Sequence, residues 1–280
     1  MRPISFLCLL AAFARVAAAL SIAIDTGSVL GSVPKLALGW EMWVMFGYYH
    51  DMADPAFINA FAGLGGATVR VGGITADFTT YAMDVNDDSL AAAPARALAA
   101  SPRGPFWPAA PQNFTAGNLR TLLGFFEAAN LSAVFDLAEF YGRNCSTLAP
   151  AAFSCYVETE WCEGAWDISN VKSFLQYLHD NSLVGPTRTL RAFELGNELA
   201  CHIAPATNIA DIRTLAAIIQ EVWADVPAAQ RPNFFAPSTD QCSPAQIEIL
   251  NNLSSIPGVT GFSFHCACMC VCSGSRPLPP

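Results

Sequence analysis

The feature that most constrains the fold is an alternation of short apolar runs with amphipathic helical patterns along the chain. The runs are rich in β-branched or aromatic residues, which is typical of parallel strands covered on both faces. Such an alternation predicts an α/β protein, either a (β/α)8 TIM barrel or a doubly wound sheet. The six runs are residues 21–25, 67–71, 132–136, 191–195, 233–236 and 259–264.

No Gly-x-Gly-x-x-Gly sequence follows the first run, which removes the main argument for a dinucleotide-binding sheet and favours the barrel. Six strand candidates are fewer than the eight of a closed barrel, so we expect an incomplete barrel of about six βα units. The predicted organisation is a signal peptide at residues 1–20, a partial catalytic barrel at residues 21–265 and an irregular Cys/Pro-rich tail at residues 266–280. With 280 residues, 53% of them hydrophobic, the chain is long enough to bury one large core.

The first twenty residues resemble a secretory signal. Arg2 supplies the positive charge, residues 4–13 form a short apolar segment, and Ala17, Ala18 and Ala19 are small residues suited to cleavage. An uncleaved N-terminal anchor is the alternative, and it would leave the protein membrane-associated. No later stretch is apolar for long enough to cross a bilayer. We therefore predict a secreted, extracellular or lysosome-like location.

Sequons and cysteines agree with secretion. Ten cysteines are many for a cytosolic enzyme and are expected to form disulfides in an oxidising compartment. Cys201 and Cys242 each follow a predicted strand and are a candidate pair, although the connectivity stays open. A mobility shift after enzymatic deglycosylation would test the glycoprotein prediction. The four candidate glycosylation sites are Asn113, Asn130, Asn144 and Asn252.

Charge and motif content exclude several function classes. The net charge of −9 and the pI of about 4.8 argue against nucleic acid as a partner. Cysteines 266, 268, 270 and 272 follow a C-x-C-x-C-x-C pattern without the C-x2-C spacing of ordinary zinc sites, so we predict no metal site there. No P-loop, His-Glu-x-x-His or Gly-x-Ser-x-Gly sequence is present, and no cofactor is expected.

The strongest catalytic candidate is Glu198, which with Asn197 directly follows the predicted strand at residues 191–195. In barrels, catalytic residues lie at the C-terminal ends of strands. A carboxylic acid there can protonate a leaving glycosidic oxygen, and the neighbouring amide can bond a sugar hydroxyl. A solvent-exposed loop Glu is the alternative. Glu194, inside the strand, is either a second acid or an interior carboxylate paired with Arg.

Other strand ends carry further polar candidates. Arg70 can hold a catalytic carboxylate in its ionised form, or can belong to a structural salt bridge near Asp77. Gly72 and Gly73 would let the backbone turn sharply beside a ligand. Asp25 and His265 each end a predicted strand, where they would meet either a sugar hydroxyl or solvent.

Four blocks of this sequence together resemble heparanase and its relatives in glycoside hydrolase family 79. They are Ser-Ile-Ala-Ile-Asp at residues 21–25, the segment that begins with Asp-Pro at residues 54–64, Ala-Thr-Val-Arg-Val-Gly-Gly-Ile-Thr-Ala-Asp-Phe at 67–78 and Phe-Glu-Leu-Gly-Asn-Glu at 193–198. The resemblance runs from residue 21 to 265. It implies a retaining endo- or exo-glucuronidase on a (β/α)8 barrel with a small β-sandwich, acting on a uronic-acid-containing glycan. It makes Glu198 the acid/base and assigns substrate binding to Asp25, Gly73, Thr75, Asn197 and His265.

The chain departs from the family pattern at several positions. Leu199 replaces the usual Pro, Ile74 replaces a polar residue, and Cys266 and Ala267 follow His265 where the family has His-Tyr. The family nucleophile is a Glu on strand seven, but no Glu follows Glu248 here. We therefore expect the nucleophile to be absent from this chain, as in a truncated product, and the chain to have little activity.

Two other functions stay open at this level. One is a non-catalytic carbohydrate-binding or vestigial protein. The other is a different retaining barrel glycosidase that shares the Asn-Glu arrangement after its fourth strand. In each case the expected partner is a glycan, since nothing in the sequence predicts a nucleic-acid site or a transmembrane helix beyond the signal segment.

Overall fold

The computed structural model describes residues 39–43, 52–63, 65–73, 76–86, 112–146, 161–199, 202–239 and 244–264. All of them belong to one compact unit, Lys35–Pro280. The predicted domain boundaries at residues 20 and 265 lie outside the described residues and stay predictions. The same holds for Asp25, Thr75, His265 and the Cys201–Cys242 pair.

Ten strands and five helices make up the described fold. The strands are β1 Gly39–Trp43, β2 Thr68–Gly72, β3 Thr79–Ala82, β4 Gln112–Thr115, β5 Ser132–Leu137, β6 Asn144–Ser146, β7 Trp161–Glu163, β8 Leu190–Leu195, β9 Asn233–Thr239 and β10 Gly261–Phe264. The helices are α1 Pro55–Ala62, α2 Ala116–Ala128, α3 Ser169–Asp180, α4 Pro205–Val222 and α5 Pro244–Leu253.

Six of these strands form one parallel sheet in the order β1-β2-β5-β8-β9-β10. Each strand joins the sheet beside the strand that precedes it in this series, so every crossover runs in the same direction. Because such crossovers are right-handed, they place their helices on one face of the sheet. A doubly wound sheet would instead reverse direction at a switch point. The order among the described strands is therefore that of a barrel wall.

The sequence analysis missed the strand that pairs with β2 at the sheet edge. That strand is β1, with sequence Gly-Trp-Glu-Met-Trp, and it pairs in register with all of β2. Glu41 interrupts its apolar pattern and it has no β-branched residue, so it lacks the signature used to find strands. The strand predicted at residues 21–25 lies outside the described residues. The other five predicted strands correspond to β2, β5, β8, β9 and β10 within a few residues.

The core lies between the sheet and its helices. Side chains alternate along a strand, so every second residue faces the helices. Most of those residues are apolar and buried, whereas the residues between them on the opposite face include Arg70, Asp136 and Glu194. Burial of each large side chain contributes about 1.5–3 kcal/mol. Core members from the strands are Val69, Val71, Phe135, Phe193 and Phe234, and from the helices Phe126, Phe174 and Ile212.

Side-chain caps begin helices α1 and α2. The Asp54 side chain accepts a 2.8 Å hydrogen bond from the Ala56 amide, and Pro55 occupies the first turn of α1. Thr115 and Asn118 form a reciprocal capping box at α2, with distances of 3.1 and 3.0 Å. Both caps use residues close together in the sequence, so each depends on local sequence.

The predicted glycosylation sites differ in accessibility. Asn113, Asn130 and Asn144 are exposed, whereas Asn252 is half-buried in α5 and its side-chain amide donates to the Glu248 carbonyl at 2.9 Å. Glycosylation itself stays a prediction. Cys162 is disulfide-bonded. Of the helices that the structure describes, none is both long and apolar enough to span a bilayer.

His179 connects α3 to the segment that follows α4. Its ring nitrogens lie 3.1 Å from Asp180 Oδ1 and 3.0 Å from Asp225 Oδ1. The hydrogen bond to Asp180, and after it the interaction with Asp225, raise the pKa of His179 above 6.5 against an opposing effect of desolvation. A pKa raised in the folded state stabilises the fold fully below the unfolded value of 6.5, and this stabilisation is lost as the pH rises through the folded value.

We therefore expect His179→Gln to lower the free energy of unfolding by roughly 0.2–1 kcal/mol at pH 5.5, and by much less at pH 9. Urea unfolding at the two pH values measures this difference. Lys172→Gln is the matched control, since Lys172 joins α3 to α4 through a 2.9 Å pair with Glu221. An equal loss for His179→Gln at both pH values would contradict the assignment.

Candidate active site

Glu198 lies in a left-handed turn at the C-terminal end of β8. The strand ends at Leu195, and φ is +65° at Gly196 and +60° at Glu198. A positive φ is uncommon for a residue with a side chain, and such strained residues cluster at active sites. Glu198 is half-buried. The predicted placement of Glu198 directly after a buried parallel strand is what the structure shows.

Asn197 is held at both its backbone and its side chain. Its amide nitrogen donates to Asp77 Oδ2 at 3.1 Å, and its side-chain oxygen accepts from Arg70 Nη2 at 3.1 Å. Asn197 is 9% exposed, so it borders the surface without projecting from it. The two contacts come from β2 and from the short 3-10 turn Ala76–Phe78 that follows it.

Arg70 joins the strands of the sheet beneath this turn. Its Nη2 lies 3.1 Å from Asp136 Oδ2 and 3.1 Å from Ser238 Oγ, and its Nε donates to Glu194. The Ser263 hydroxyl donates to the other oxygen of Glu194. One guanidinium thus contacts two buried carboxylates, and the network reaches β2, β5, β8, β9 and β10. Glu194 takes the predicted role of an interior carboxylate paired with Arg.

The Gly-Gly pair after β2 allows this packing. A Cβ on Gly72 would lie 2.8 Å from Arg70 Cζ and 3.0 Å from Asp136 Cβ, so a side chain there would displace the guanidinium. Gly73 has φ +84° and its carbonyl accepts from the Ala76 amide at 2.8 Å. This turn carries Asp77 to Asn197. The predicted sharp turn is confirmed, while contact of Gly73 with substrate stays a prediction.

A second set of buried carboxyl groups lies behind the Glu198 turn. Glu139 is fully buried and accepts from Asn208 Nδ2 at 3.0 and 3.2 Å. Asp211 pairs with Arg143 and also hydrogen-bonds Glu139. Desolvation by burial is the main cause that raises the pKa of Asp77, Glu139 and Asp211. These carboxyl groups therefore hold protons at higher pH than ordinary ones.

Sequence reasoning missed Glu139 and gave Asp77 no defined role. Glu139 comes two residues after the end of β5, and the strand-end rule that selected Glu198 would have selected it as well. Asp77 belongs to the Gly-Gly block, but its contact with Asn197 joins residues 120 positions apart. Within the described ranges, no three His, Cys, Asp or Glu side chains are placed to hold a metal ion.

Sequence and structure comparisons relate this site to a known protein family. Residues 40–242 match the family described as Glycosyl hydrolase family 79, N-terminal domain. A search of curated proteins found no match. Among solved structures, the chain is similar to a 4-O-alpha-L-rhamnosyl-beta-D-glucuronidase from Fusarium oxysporum 12S in complex with Rha-GlcA, at 16% identity and a TM-score of 0.47. That match covers 82% of this chain but 43% of the glucuronidase, so the chain spans less than half of the solved protein. Because the family match covers most of the chain and includes the Glu198 turn, this protein belongs to glycosyl hydrolase family 79.

Proposed function

We propose that this protein is a glycoside hydrolase of the retaining type that acts on glucuronic-acid-containing glycans, with Glu198 as its general acid/base. The observation that carries the proposal is the turn after β8, where Glu198 follows Asn197 in a strained conformation fixed by Arg70 and Asp77. Family membership supports the reaction class, and the family resemblance of the sequence supports the glucuronide. Glu198 protonates the departing glycosidic oxygen and later removes a proton from the attacking water.

The nucleophile of this reaction is not among the described carboxylates beside the turn. A retaining pair needs two carboxyl groups about 5–5.5 Å apart, with the nucleophile open to the anomeric carbon. The four candidates are each at most 1% exposed, and a sugar ring does not reach them. They are Asp77, Asp136, Glu139 and Glu194. We therefore propose that the attacking carboxylate comes from outside the described residues.

We also propose that the six-stranded sheet belongs to a (β/α)8 barrel. Two observations support this: the strands add successively in one direction, and the face opposite the helices carries the polar network around Arg70. In a barrel that face is the interior, and the ends of its strands form the mouth where ligands bind.

Azide rescue tests the proposed function without assuming where the nucleophile is. Release of 4-nitrophenol from 4-nitrophenyl β-D-glucuronide by the 280-residue chain is compared in buffer and with azide, and we expect release in the presence of azide. With azide added, the azide attacks the anomeric carbon in place of the carboxylate, the aryl oxygen leaves with a proton from Glu198, and the product is the α-glucuronyl azide. Nitrophenol release and product configuration are measured together.

Each result of this experiment is informative. Release without azide would support a glycosidase whose attacking carboxylate belongs to this chain but lies outside the described residues. Binding of a glucuronide oligosaccharide by calorimetry, with no release in azide, would favour a non-catalytic glycan-binding protein. That second candidate is favoured now by one observation, the burial of every described carboxylate beside the turn. Absence of both binding and release would contradict the proposal.

A further inference from the structure

The Glu198 turn is held by hydrogen bonds from three directions. The Gly196 amide donates to the Leu137 carbonyl at 3.1 Å, and Asn197 contacts Asp77 and Arg70. These contacts fix the strand end, the backbone of Asn197 and its side chain. They do not show which group packs against the remaining side of Gly196.

Glu139 occupies that remaining side. A Cβ placed on Gly196 would lie 2.8 Å from Glu139 Oε2 and would also collide with the Leu199 side chain. The carboxyl group of Glu139 therefore packs directly against the backbone of the turn. Glu139 has no exposed surface, so it does not touch substrate. We propose that Glu139 is a positioning residue, which sets the place of Glu198 by packing against Gly196; the proposal rests on the proposed function.

The surroundings of Glu139 indicate which form of the carboxyl group does this. Asp211 faces it from α4, Arg143 from the segment after β5, and Asp77 from the turn after β2. Desolvation and the charges of Asp211 and Asp77 raise the pKa of Glu139, and only Arg143 opposes them. Glu139 also hydrogen-bonds Asp211, and this bond opposes the rise that desolvation causes in the pKa of Asp211. A neutral Glu139 that donates its proton to the Asp211 carboxylate accounts for the raised pKa of Glu139 and for the opposing effect of the same bond on the pKa of Asp211.

A neutral Glu139 can be replaced by an amide. In Glu139→Gln the amide N–H donates to Asp211 and the amide oxygen accepts from Asn208, so size and hydrogen bonding are conserved. In Glu139→Ala the contact with Gly196 is lost and both partners remain buried without their bonds. If Glu139 instead acted as an ionised nucleophile, the Gln variant would be as defective as the Ala variant.

Hydrogen exchange and turnover test this role on the full 280-residue chain. We expect exchange of the peptide spanning residues 190–199 to be accelerated at least about tenfold in Glu139→Ala and to stay within about twofold of wild type in Glu139→Gln. A peptide from α2 should be unchanged in both. Azide-supported kcat should fall in Glu139→Ala, with KM nearly constant, and should be retained in Glu139→Gln.

Two outcomes would overturn the inference: equal acceleration in the Gln and Ala variants, or no acceleration in the Ala variant. If Glu139→Ala does not fold, the carboxyl ¹³C resonances of wild type and Glu139→Gln decide the question. The resonance that Glu139→Gln removes should titrate at a higher pH than that of an ordinary Glu, because burial raises the pKa of Glu139; a normal titration would overturn the inference. A wild-type protein without turnover in azide would contradict the proposed function alone, since exchange and resonances are read independently.

Discussion

Glu198→Gln should reduce the azide-supported release of phenol from phenyl β-D-glucuronide by about 10²–10⁴-fold. A phenolate is a poor leaving group and needs the proton that Glu198 supplies at the end of β8. The 2,4-dinitrophenolate group leaves its glucuronide without protonation, so the release rate from that substrate should change far less in the same variant. The measurement is the ratio of the two rates, which isolates proton donation from any effect on binding or folding.

Glu248→Gln is the matched control for this prediction. Glu248 is exposed on α5 and has the same side chain, so its replacement should leave both rates unchanged. Similar losses for the two substrates in Glu198→Gln would mean that Glu198 binds or orients the sugar and does not donate the proton. The acid/base assignment would then be wrong.

Arg70→Ala should lower the free energy of unfolding by about 3–5 kcal/mol. The substitution leaves the carboxylates of Asp136 and Glu194 buried, at 0% and 1% exposure, without the guanidinium that compensates them. It also removes the donor for the Asn197 side chain. Denaturant unfolding monitored by Trp fluorescence measures the loss as a shift of the midpoint at constant slope.

Arg191→Ala provides the comparison for the loss at Arg70. Arg191 lies on β8, and its guanidinium donates to the Arg188 carbonyl at 3.3 Å at an exposed position, so we expect a change within about 0.5 kcal/mol. Neutralising both carboxylates, as Asp136→Asn with Glu194→Gln in the Arg70→Ala background, should recover part of the stability. No recovery would show that packing, and not the uncompensated charge, causes the loss.

Features that depend only on residues close together in the sequence could be predicted from the sequence alone. The capping of α1 by Asp54 and of α2 by Thr115, and five of the strands in the main sheet, follow from local propensity and pattern. The position of Glu198 at a strand end follows as well, because strand length and turn residues are local signals. β1 was missed because its two Trp residues flank a Glu and give no apolar alternation.

Only the tertiary structure decided how these parts become a site. Arg70 lies 124 positions from Glu194, and Asp77 lies 120 positions from Asn197, so no local pattern predicts either contact. Glu139 was overlooked because its proposed role depends on the missing side chain of Gly196. Gly196 follows β8 and Glu139 follows β5, and these two strands pair with each other. Sequence determined which residues stand at the ends of the strands. The parallel order of the sheet decided which of them meet, because it brings those ends to one edge and buries the carboxyl groups there.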